Sequence, residues 1–315
     1  MESLPASFAL PFQFDLELVS LQVTQLRARV EKERKALDLI YNKLATAVNQ
    51  SGGHYSREDF DWAYCVCRTR MVDATGLNYE DYQENIPWLK LRTRHDNSIL
   101  APIFDMINHS NRANADYWYD GRTGSLKVGL LNDLSPGKQL FIDYGPRPDD
   151  YLFQCYGFCL KPGDNEMNRI DLHMDELYDA CKQLGIDDFW DKIALLEQGL
   201  ATDIDLMSIT IDYDRLWVNL KEIEAGLWTI LVWVTGGDLE STASLTHNGV
   251  EFMESDEIQT RIKCIEVLLI CLKKRLVCMK ENDTIIRSRK VDIDDFTMKI
   301  MRNIRLSHSD IIFLW

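Results

Sequence analysis

The sequence contains no run of about 18 apolar residues without a charge, so it has no obvious membrane-spanning helix. The most apolar windows, Ala225–Val234 and Ile265–Leu276, are short enough to be buried helices. Basic residues are also in deficit, since 35 Lys and Arg stand against 50 Asp and Glu, a formal net charge of −15. Proteins that bind duplex nucleic acid usually carry a basic face, so we expect no nucleic-acid partner. An acidic surface attracts basic segments instead, such as lysine-bearing protein tails.

Sorting signals and a disulfide framework are missing as well. The first 17 residues have no basic start, no continuous apolar run and no Arg-rich amphipathic pattern, which predicts neither secretion nor import into an organelle. The 8 cysteines follow no framework spacing in a chain whose composition is 46% hydrophobic. We therefore expect reduced thiols and a cytoplasmic location, with the nucleus as the alternative.

The usual catalytic and cofactor motifs are absent. There is no Gly-x-x-x-x-Gly-Lys-Ser/Thr, no Gly-x-Gly-x-x-Gly, no His-Glu-x-x-His and no Gly-x-Ser-x-Gly. Cys65 and Cys67 could in principle ligate zinc. Residues two apart on a helix point to different sides, however, and no His is close in sequence, so we predict no metal site. Cys264, Cys271 and Cys278 recur every seven residues, which favours packing along one side of a helix.

Hydrophobic patterns divide the chain into three regions and predict an α+β fold. Apolar residues recur at helical spacing from Leu18 to Gln50, and Ser56 with Asp59 forms a capping pattern for a second helix. Between residues 97 and 160, short aromatic and β-branched runs alternate with Gly, Pro and Asp turns, which indicates a small, mostly antiparallel β unit. After residue 164 the pattern predicts helices to the end. The candidates are Asp175–Leu184, Asp188–Glu197, Tyr213–Thr235, Ser255–Lys280 and Asp294–Ile304.

Three segments of the β region carry polar groups where apolar runs end. Asp105-Met106-Ile107-Asn108-His109-Ser110 follows a short apolar run, and its polar side chains need hydrogen-bond partners if they are buried. The apolar run Gln139–Ile142 leads to Tyr144-Gly145, and Tyr156-Gly157-Phe158 lies a dozen residues farther on. Taken alone, each segment also fits a plain turn or an aromatic packing corner.

In this order and spacing, the three segments resemble the SET-domain methyltransferases. The resemblance is closest to the branch that includes the Rubisco large-subunit lysine methyltransferase and the actin histidine methyltransferase. Leu4-Pro5 through Thr24 looks like the opening of that branch's helical insert, and Cys67-Arg68-Thr69-Arg70 looks like its Arg-bearing helix. The resemblance implies an incomplete SET domain over residues 1–160, with a helical insert over 18–95 and a β unit over 97–160. An all-α, substrate-binding-like domain would follow over residues 165–315.

The resemblance also implies S-adenosylmethionine as cofactor, a lysine-bearing protein as substrate and a role for each motif residue. Tyr144 would stand beside the transferred methyl group as the catalytic residue. Arg70 would reach the cofactor's carboxylate with its planar donor fork, and Gly157 would allow close backbone approach. The implied cofactor-binding residues are Arg70, Asp105, Asn108, His109, Tyr156, Gly157 and Phe158. The implied substrate contacts are Ile142, Tyr144, Arg147 and Tyr156.

One part of the family pattern is missing from the sequence. The family begins with a β region whose Gly-x-Gly-type turn binds the methionine end of the cofactor, and this chain contains no Gly-x-Gly. About a hundred expected residues are absent before Met1, and their loss is expected to expose sheet edges and apolar surface. An incomplete reading of a longer gene, a short isoform and a loss of catalysis would each explain this. The functional alternatives are therefore a protein-lysine methyltransferase, a protein-histidine methyltransferase and a catalytically inactive module that binds a partner protein.

Overall fold

The computed structural model describes residues 4–50, 52–73, 98–120, 122–202, 211, 216–236, 255–288 and 295–314. The chain divides into two compact units. The first comprises Met1–Leu16 and Ala28–Asn165, and the second comprises Glu17–Arg27 and Glu166–Trp315. Residues 74–95 of the predicted helical insert lie outside the described residues.

Helices dominate the described residues, and the strands are short. The helices are α1 (Leu16–Gln22), α2 (Leu26–Gln50), α3 (Arg57–Arg70), α4 (Asp149–Tyr156), α5 (Met174–Gln183), α6 (Phe189–Thr202), α7 (Ala225–Val234), α8 (Ser255–Ser288) and α9 (Asp295–Leu314). The strands are β1 (Met71–Asp73), β2 (Ser98–Leu100), β3 (Asn108–His109), β4 (Ala115–Asp120), β5 (Ser125–Leu130), β6 (Phe141–Ile142), β7 (Arg169–Asp171) and β8 (Trp217–Asn219). The predicted α+β class, with a helical carboxy-terminal region, is confirmed.

In the first unit, α3 begins where the sequence predicts. The Ser56 hydroxyl accepts a hydrogen bond from the Asp59 N–H at 3.1 Å, and the Asp59 carboxylate accepts one from the Ser56 N–H at 3.0 Å. This capping box satisfies two donors that the first turn of a helix otherwise leaves free. Cys65 and Val66 of α3 are buried, as are Leu152 and Phe153 of the neighbouring α4. The α3–α4 pair is thus held by apolar packing and a defined helix start.

The β region of the first unit consists of two antiparallel pairs and one parallel pair. β1 pairs with β2, and β4 pairs with β5 over six residues, which confirms the predicted hairpin around residues 120–124. β3 and β6 pair in parallel, and the β4–β5 hairpin lies between them in sequence. The predicted strand over residues 139–144 is therefore shorter than expected, and only Phe141–Ile142 pairs.

The second unit has one large apolar core formed by α5, α6, α7, α8 and the end of α9. The predicted helix over residues 213–235 is wrong in its first part. Trp217–Asn219 instead forms β8, antiparallel to β7, and α7 begins at Ala225. The Glu224 carboxylate fixes this start by accepting hydrogen bonds from the Gly226 and Leu227 N–H groups, both at 2.8 Å. None of the helices in the described ranges is long and apolar enough to span a bilayer.

Leu195 and Leu196 are adjacent in α6 but differ in burial, which gives a matched pair of substitutions. Leu196 is fully buried, whereas Leu195 is 56% exposed. We predict that Leu196→Ala lowers the free energy of unfolding by ~2–5 kcal/mol, because it removes buried methyl groups and leaves a cavity. Leu195→Ala should change it by less than ~0.5 kcal/mol. Urea unfolding followed by circular dichroism measures both values. Equal losses would contradict the assigned core.

Candidate active site

The parallel pair β3–β6 brings the first two predicted segments together. Asn108 pairs with Phe141 and His109 with Ile142, so Tyr144 follows two residues after the end of the pair. The Tyr144 N–H donates a hydrogen bond to Nδ1 of His109 at 3.1 Å. The centres of their two rings are 5.2 Å apart. A short stretch of backbone pairing therefore holds the imidazole and the phenol side by side.

Helix α4 brings the third segment to the same place. It ends at Gly157, which adopts a left-handed conformation with φ +77° and donates its N–H to the Phe153 carbonyl oxygen at 3.0 Å. The chain turns there, and the ring centre of Tyr156 lies 4.9 Å from that of Tyr144. Phe158 contacts both His109, at 5.8 Å, and Tyr144, at 6.4 Å between ring centres. We call His109, Tyr144, Tyr156 and Phe158 the aromatic cluster.

A cavity of about 460 Å³ opens beside the aromatic cluster. This volume lies in the range of about 300–1,000 Å³ that is typical of small-molecule sites. Six of the predicted site residues line it, namely Arg70, Asp105, Ile142, Tyr144, Arg147 and Tyr156. The other four lie outside its lining. Asn108 is exposed on β3, His109 and Phe158 pack in the aromatic cluster, and Gly157 faces the backbone of Ala9.

Arg70 and Asp105 form a polar pair in the cavity wall. Nη1 of Arg70 lies 3.3 Å from Oδ2 of Asp105 and donates to the Asp105 carbonyl oxygen, also at 3.3 Å. Both side chains are largely buried, with 14% and 12% exposed. Nε of Arg70 is buried, and no hydrogen-bond partner for it occurs among the described residues. The guanidinium therefore keeps unused donor capacity inside the site.

The Tyr144 side chain is fixed at its hydroxyl as well as at its backbone. Its O–H donates to the carbonyl oxygen of Ile107 at 2.7 Å. Burial raises the pKa of the Tyr144 phenol; the charge of Arg70 lowers it in part, and that of Asp105 adds to the increase. Tyr144 is thus a neutral hydroxyl at ordinary pH, and its free lone pairs can accept a hydrogen bond from a bound group.

One wall of the cavity consists of residues that the sequence did not single out for a role in the site. Tyr64 and Arg68 lie four apart on α3, and Tyr151 lies on α4. The Tyr64 hydroxyl donates a short hydrogen bond to Glu33, whose other carboxylate oxygen accepts from the Gln154 amide at 3.0 Å. The spacing of Tyr64 and Arg68 could have indicated a shared helix face, but such a pair is common on any helix.

Arg147 adds a second guanidinium to this wall. It lies 4.8 Å from the ring centre of Tyr151 and is exposed to solvent. Two acidic groups, Asp105 and Asp143, also line the cavity. Within the described ranges of the chain, no group of three or more His, Cys, Asp or Glu side chains could hold a metal ion. The cavity lining thus combines aromatic rings, guanidinium groups and two carboxylates.

Exposed apolar side chains surround the polar pair. Met71 and Leu100 lie on β1 and β2 and are 39% and 49% exposed. Ile103 is 86% exposed and Met106 is 52% exposed. Four exposed apolar side chains therefore lie in the strands and the turn next to Arg70 and Asp105.

Comparison with known proteins shows which family the residues around the cavity resemble. Residues 12–145 match the SET domain family. The match covers less than half of the chain, and most of it lies in the first unit. SET domain-containing protein 4 of Artemia parthenogenetica is 23% identical over 187 residues, which cover 59% of this chain and 44% of that protein. Ribosomal lysine N-methyltransferase set11 of Schizosaccharomyces pombe is 28% identical over 135 residues, which cover 42% of this chain and 30% of that protein.

Two solved structures share the fold. The SET domain of LSMT, solved with lysine and AdoHcy, superposes on 98% of this chain and 67% of that one, with a TM-score of 0.53 and 17% identity. Rubisco LSMT with sinefungin and monomethyllysine covers the same shares with a TM-score of 0.50 and 15% identity. The chain spans less than half the length of the two curated relatives. The match to the SET domain ends at residue 145, before α4 and the third segment.

The close contact of Gly157 with the Ala9 backbone yields a test of the packing at the end of α4. A Cβ atom at Gly157 would lie 3.1 Å from the Ala9 carbonyl oxygen, whereas at Gly52, with a similar φ of +78°, it would meet nothing within 4 Å. We predict that Gly52→Ala costs about 1 kcal/mol through backbone strain alone. Gly157→Ala should cost ~1–3 kcal/mol more through crowding. Urea titration compares the two, and equal losses would contradict the crowding.

Tyr156 provides a test of burial at the site. Burial is the main factor that raises its pKa from 10.0 to about 12; Cys155, Tyr151 and Tyr144 add to the increase, and Arg147 lowers it in part. The folded phenol should therefore stay neutral at pH 10, while the same residue in the urea-unfolded chain is half ionised. Its contribution to stability is complete below pH 10 and is lost as the pH rises toward about 12. NMR of ring-labelled tyrosine, with Tyr156→Phe for assignment, measures this. Half-ionisation at pH 10 in both states would disprove the burial.

Proposed function

We propose that the chain is an S-adenosylmethionine-dependent protein methyltransferase that acts on a lysine side chain. The observation that carries the proposal is the fixed position of Tyr144 in the cavity lining: its hydroxyl donates to the Ile107 carbonyl oxygen, and its backbone N–H donates to His109. The names of relatives that share the SET domain, such as ribosomal lysine N-methyltransferase, support the reaction class. The solved LSMT structures contain AdoHcy or sinefungin together with lysine or monomethyllysine, which supports the same cofactor and acceptor here.

The residues of the cavity fit the chemical groups of S-adenosylmethionine. The buried Arg70 Nε, which has no partner in the described part of the chain, suits a carboxylate, because a guanidinium can bind a carboxylate with two parallel hydrogen bonds. The aromatic faces in the lining suit a sulfonium, since aromatic rings attract cations. Arg70, Asp105 and Tyr156 would hold the cofactor. When bound, it supplies a methyl group on a positively charged sulfur.

The protein contributes the position of the acceptor lysine and a lower pKa of its ammonium group. A lysine ammonium, with an ordinary pKa of about 10.4, must lose its proton before its nitrogen can attack, and burial beside a positive charge lowers that pKa. The Tyr144 proton is committed to the Ile107 carbonyl, so the phenol oxygen can accept a hydrogen bond from the acceptor nitrogen and aim its lone pair. Holding two reactants in line can supply roughly 7–11 kcal/mol of the barrier reduction. Tyr144 acts here as an orienting group and not as a base, since its raised pKa keeps the hydroxyl protonated.

The substrate contacts follow from the same geometry. Ile142 is 3% exposed and gives an apolar wall next to Tyr144. Arg147 is exposed and lies over Tyr151, so it can contact backbone or acidic groups of a protein chain. Tyr156 closes the side of the cavity beside Tyr144. A protein-histidine acceptor would use the same neutral hydroxyl, and identification of the methylated residue by mass spectrometry separates the two acceptors.

Tyr144→Phe tests the proposal, because it keeps the ring and removes only the hydroxyl. We predict that the variant binds S-adenosylmethionine with unchanged affinity in calorimetric titration. Transfer of labelled methyl groups to purified ribosomal protein should fall by about 10²–10³-fold, the usual cost of losing one positioned hydrogen-bonding group.

Tyr55→Phe is the matched control, because it also removes one tyrosine hydroxyl and Tyr55 lies outside the cavity lining. It should leave both measurements unchanged. Equal rates of methyl transfer by Tyr144→Phe and by the unsubstituted chain would contradict the role assigned to Tyr144. If the unsubstituted chain does not bind S-adenosylmethionine, the alternative of an inactive binding module is favoured.

A further inference from the structure

A series of hydrogen bonds connects Tyr144 to a turn that lies beyond the matched SET residues. The Tyr144 N–H donates to Nδ1 of His109 at 3.1 Å. Nε2 of the same imidazole lies 2.9 Å from Oδ1 of Asn111. The Asn111 amide nitrogen donates in turn to the carbonyl oxygen of Asp164 at 3.1 Å. We call these three bonds the Asn111 relay.

Both ends of the Asn111 relay impose the same tautomer on His109. A backbone carbonyl can only accept, so the atom of Asn111 that faces Asp164 is its NH₂ group, and Oδ1 faces the imidazole. Nε2 must therefore carry the proton. A backbone N–H can only donate, so Nδ1, which faces the Tyr144 N–H, must carry no proton. The network thus assigns a neutral His109 with its proton on Nε2.

Asp143 is the nearest group that could favour the other tautomer. Its Oδ1 lies 3.7 Å from Nδ1 of His109, which is beyond hydrogen-bond distance. The same oxygen already accepts the Gly145 N–H at 2.9 Å, and the side chain is 57% exposed. Solvent screens such a carboxylate, whereas the His109 side chain is 1% exposed. The backbone amide of Tyr144 is therefore the partner that determines the state of Nδ1.

The Asp164 carbonyl is held by a well-anchored turn. The Asp164 N–H donates to the Lys161 carbonyl oxygen at 3.0 Å. The Asn165 amide donates to the Arg147 carbonyl oxygen at 3.0 Å and to Oδ1 of Asp149 at 2.8 Å. Asp149 is fully buried at the start of α4. The turn over residues 161–165 thus bonds to the segments on either side of Tyr144.

We propose that Asn111 is a positioning residue, which fixes the His109 tautomer and through it the backbone of Tyr144. The effect on methyl transfer rests on the proposed function of Tyr144, whereas the effect on the tautomer does not. Without the Asn111 amide, Nε2 loses its hydrogen-bond partner among the described residues, so nothing in the network favours a proton on Nε2 over one on Nδ1. A proton on Nδ1 would face the Tyr144 N–H and break the hydrogen bond between them. The Tyr144 backbone would then shift, and its phenol would move within the cavity.

The experiment compares Asn111→Ala with Asn132→Ala in the full chain labelled with ¹⁵N-histidine. Asn132 is a suitable control, because it is exposed just after β5 in the same unit and belongs neither to the Asn111 relay nor to the β3–β6 pairing. In the unsubstituted chain and in Asn132→Ala, we expect NMR signals of an unprotonated Nδ1 and a protonated Nε2. In Asn111→Ala, the Nδ1–H form should appear and the Tyr144 amide signal should shift. The turnover number should fall about 10–100-fold, with the Michaelis constant for S-adenosylmethionine unchanged within about twofold.

The outcomes separate this inference from the proposed function. An unchanged His109 tautomer in Asn111→Ala would overturn the inference, whatever the activity. A changed tautomer with unchanged turnover would show that Tyr144 needs no such positioning, which also overturns it. A changed tautomer and a shifted Tyr144 signal in a chain that transfers no methyl groups would support the Asn111 relay and contradict only the proposed function.

Discussion

The site depends on two parallel residue pairs between β3 and β6. Asn108–Phe141 and His109–Ile142 are the points where segments 33 residues apart in sequence meet. Such a short pairing contributes little stability by itself, so it needs support from its surroundings. The support comes from the aromatic cluster on one side and from Asn114, whose amide bonds to Gln139 and Phe141, on the other. If this pairing shifted by one residue, Ile142 and Tyr144 would exchange faces with their neighbours and leave the cavity.

Buried polar contacts hold the helical wall of the cavity in a similar way. Glu33 binds Tyr64 and Gln154, and Asp150, which is 1% exposed, pairs with Arg29. These contacts join α2, α3 and α4 inside the first unit. A buried carboxylate is costly unless it is paired, so each helix is restricted to the position in which the partners meet. Tyr64 and Tyr151 face the cavity as a consequence of this helix placement.

Much of the site could be predicted from the sequence, because its residues occur in ordered motifs with known spacing. Arg70, Tyr144 and Tyr156 line one cavity, as the resemblance implied. The helical wall could not be predicted, since Tyr64 and Arg68 look like any exposed pair on an amphipathic helix. The error at Trp217–Asn219 has a related cause: a short apolar run fits a buried helix and a buried strand equally well, and its pairing with β7 depends on residues some fifty positions away.

The position of the third segment has a practical consequence for dissecting the protein. The family match ends at residue 145, yet Tyr156, Phe158 and the Asp164 carbonyl all come later in the chain. A fragment that ends at residue 145 would retain Tyr144 but lose the rings of Tyr156 and Phe158 that contact it. It would also lose Asp164, so the Asn111 amide would face water. Chimeras between relatives should therefore be joined after Asn165, where the first compact unit ends.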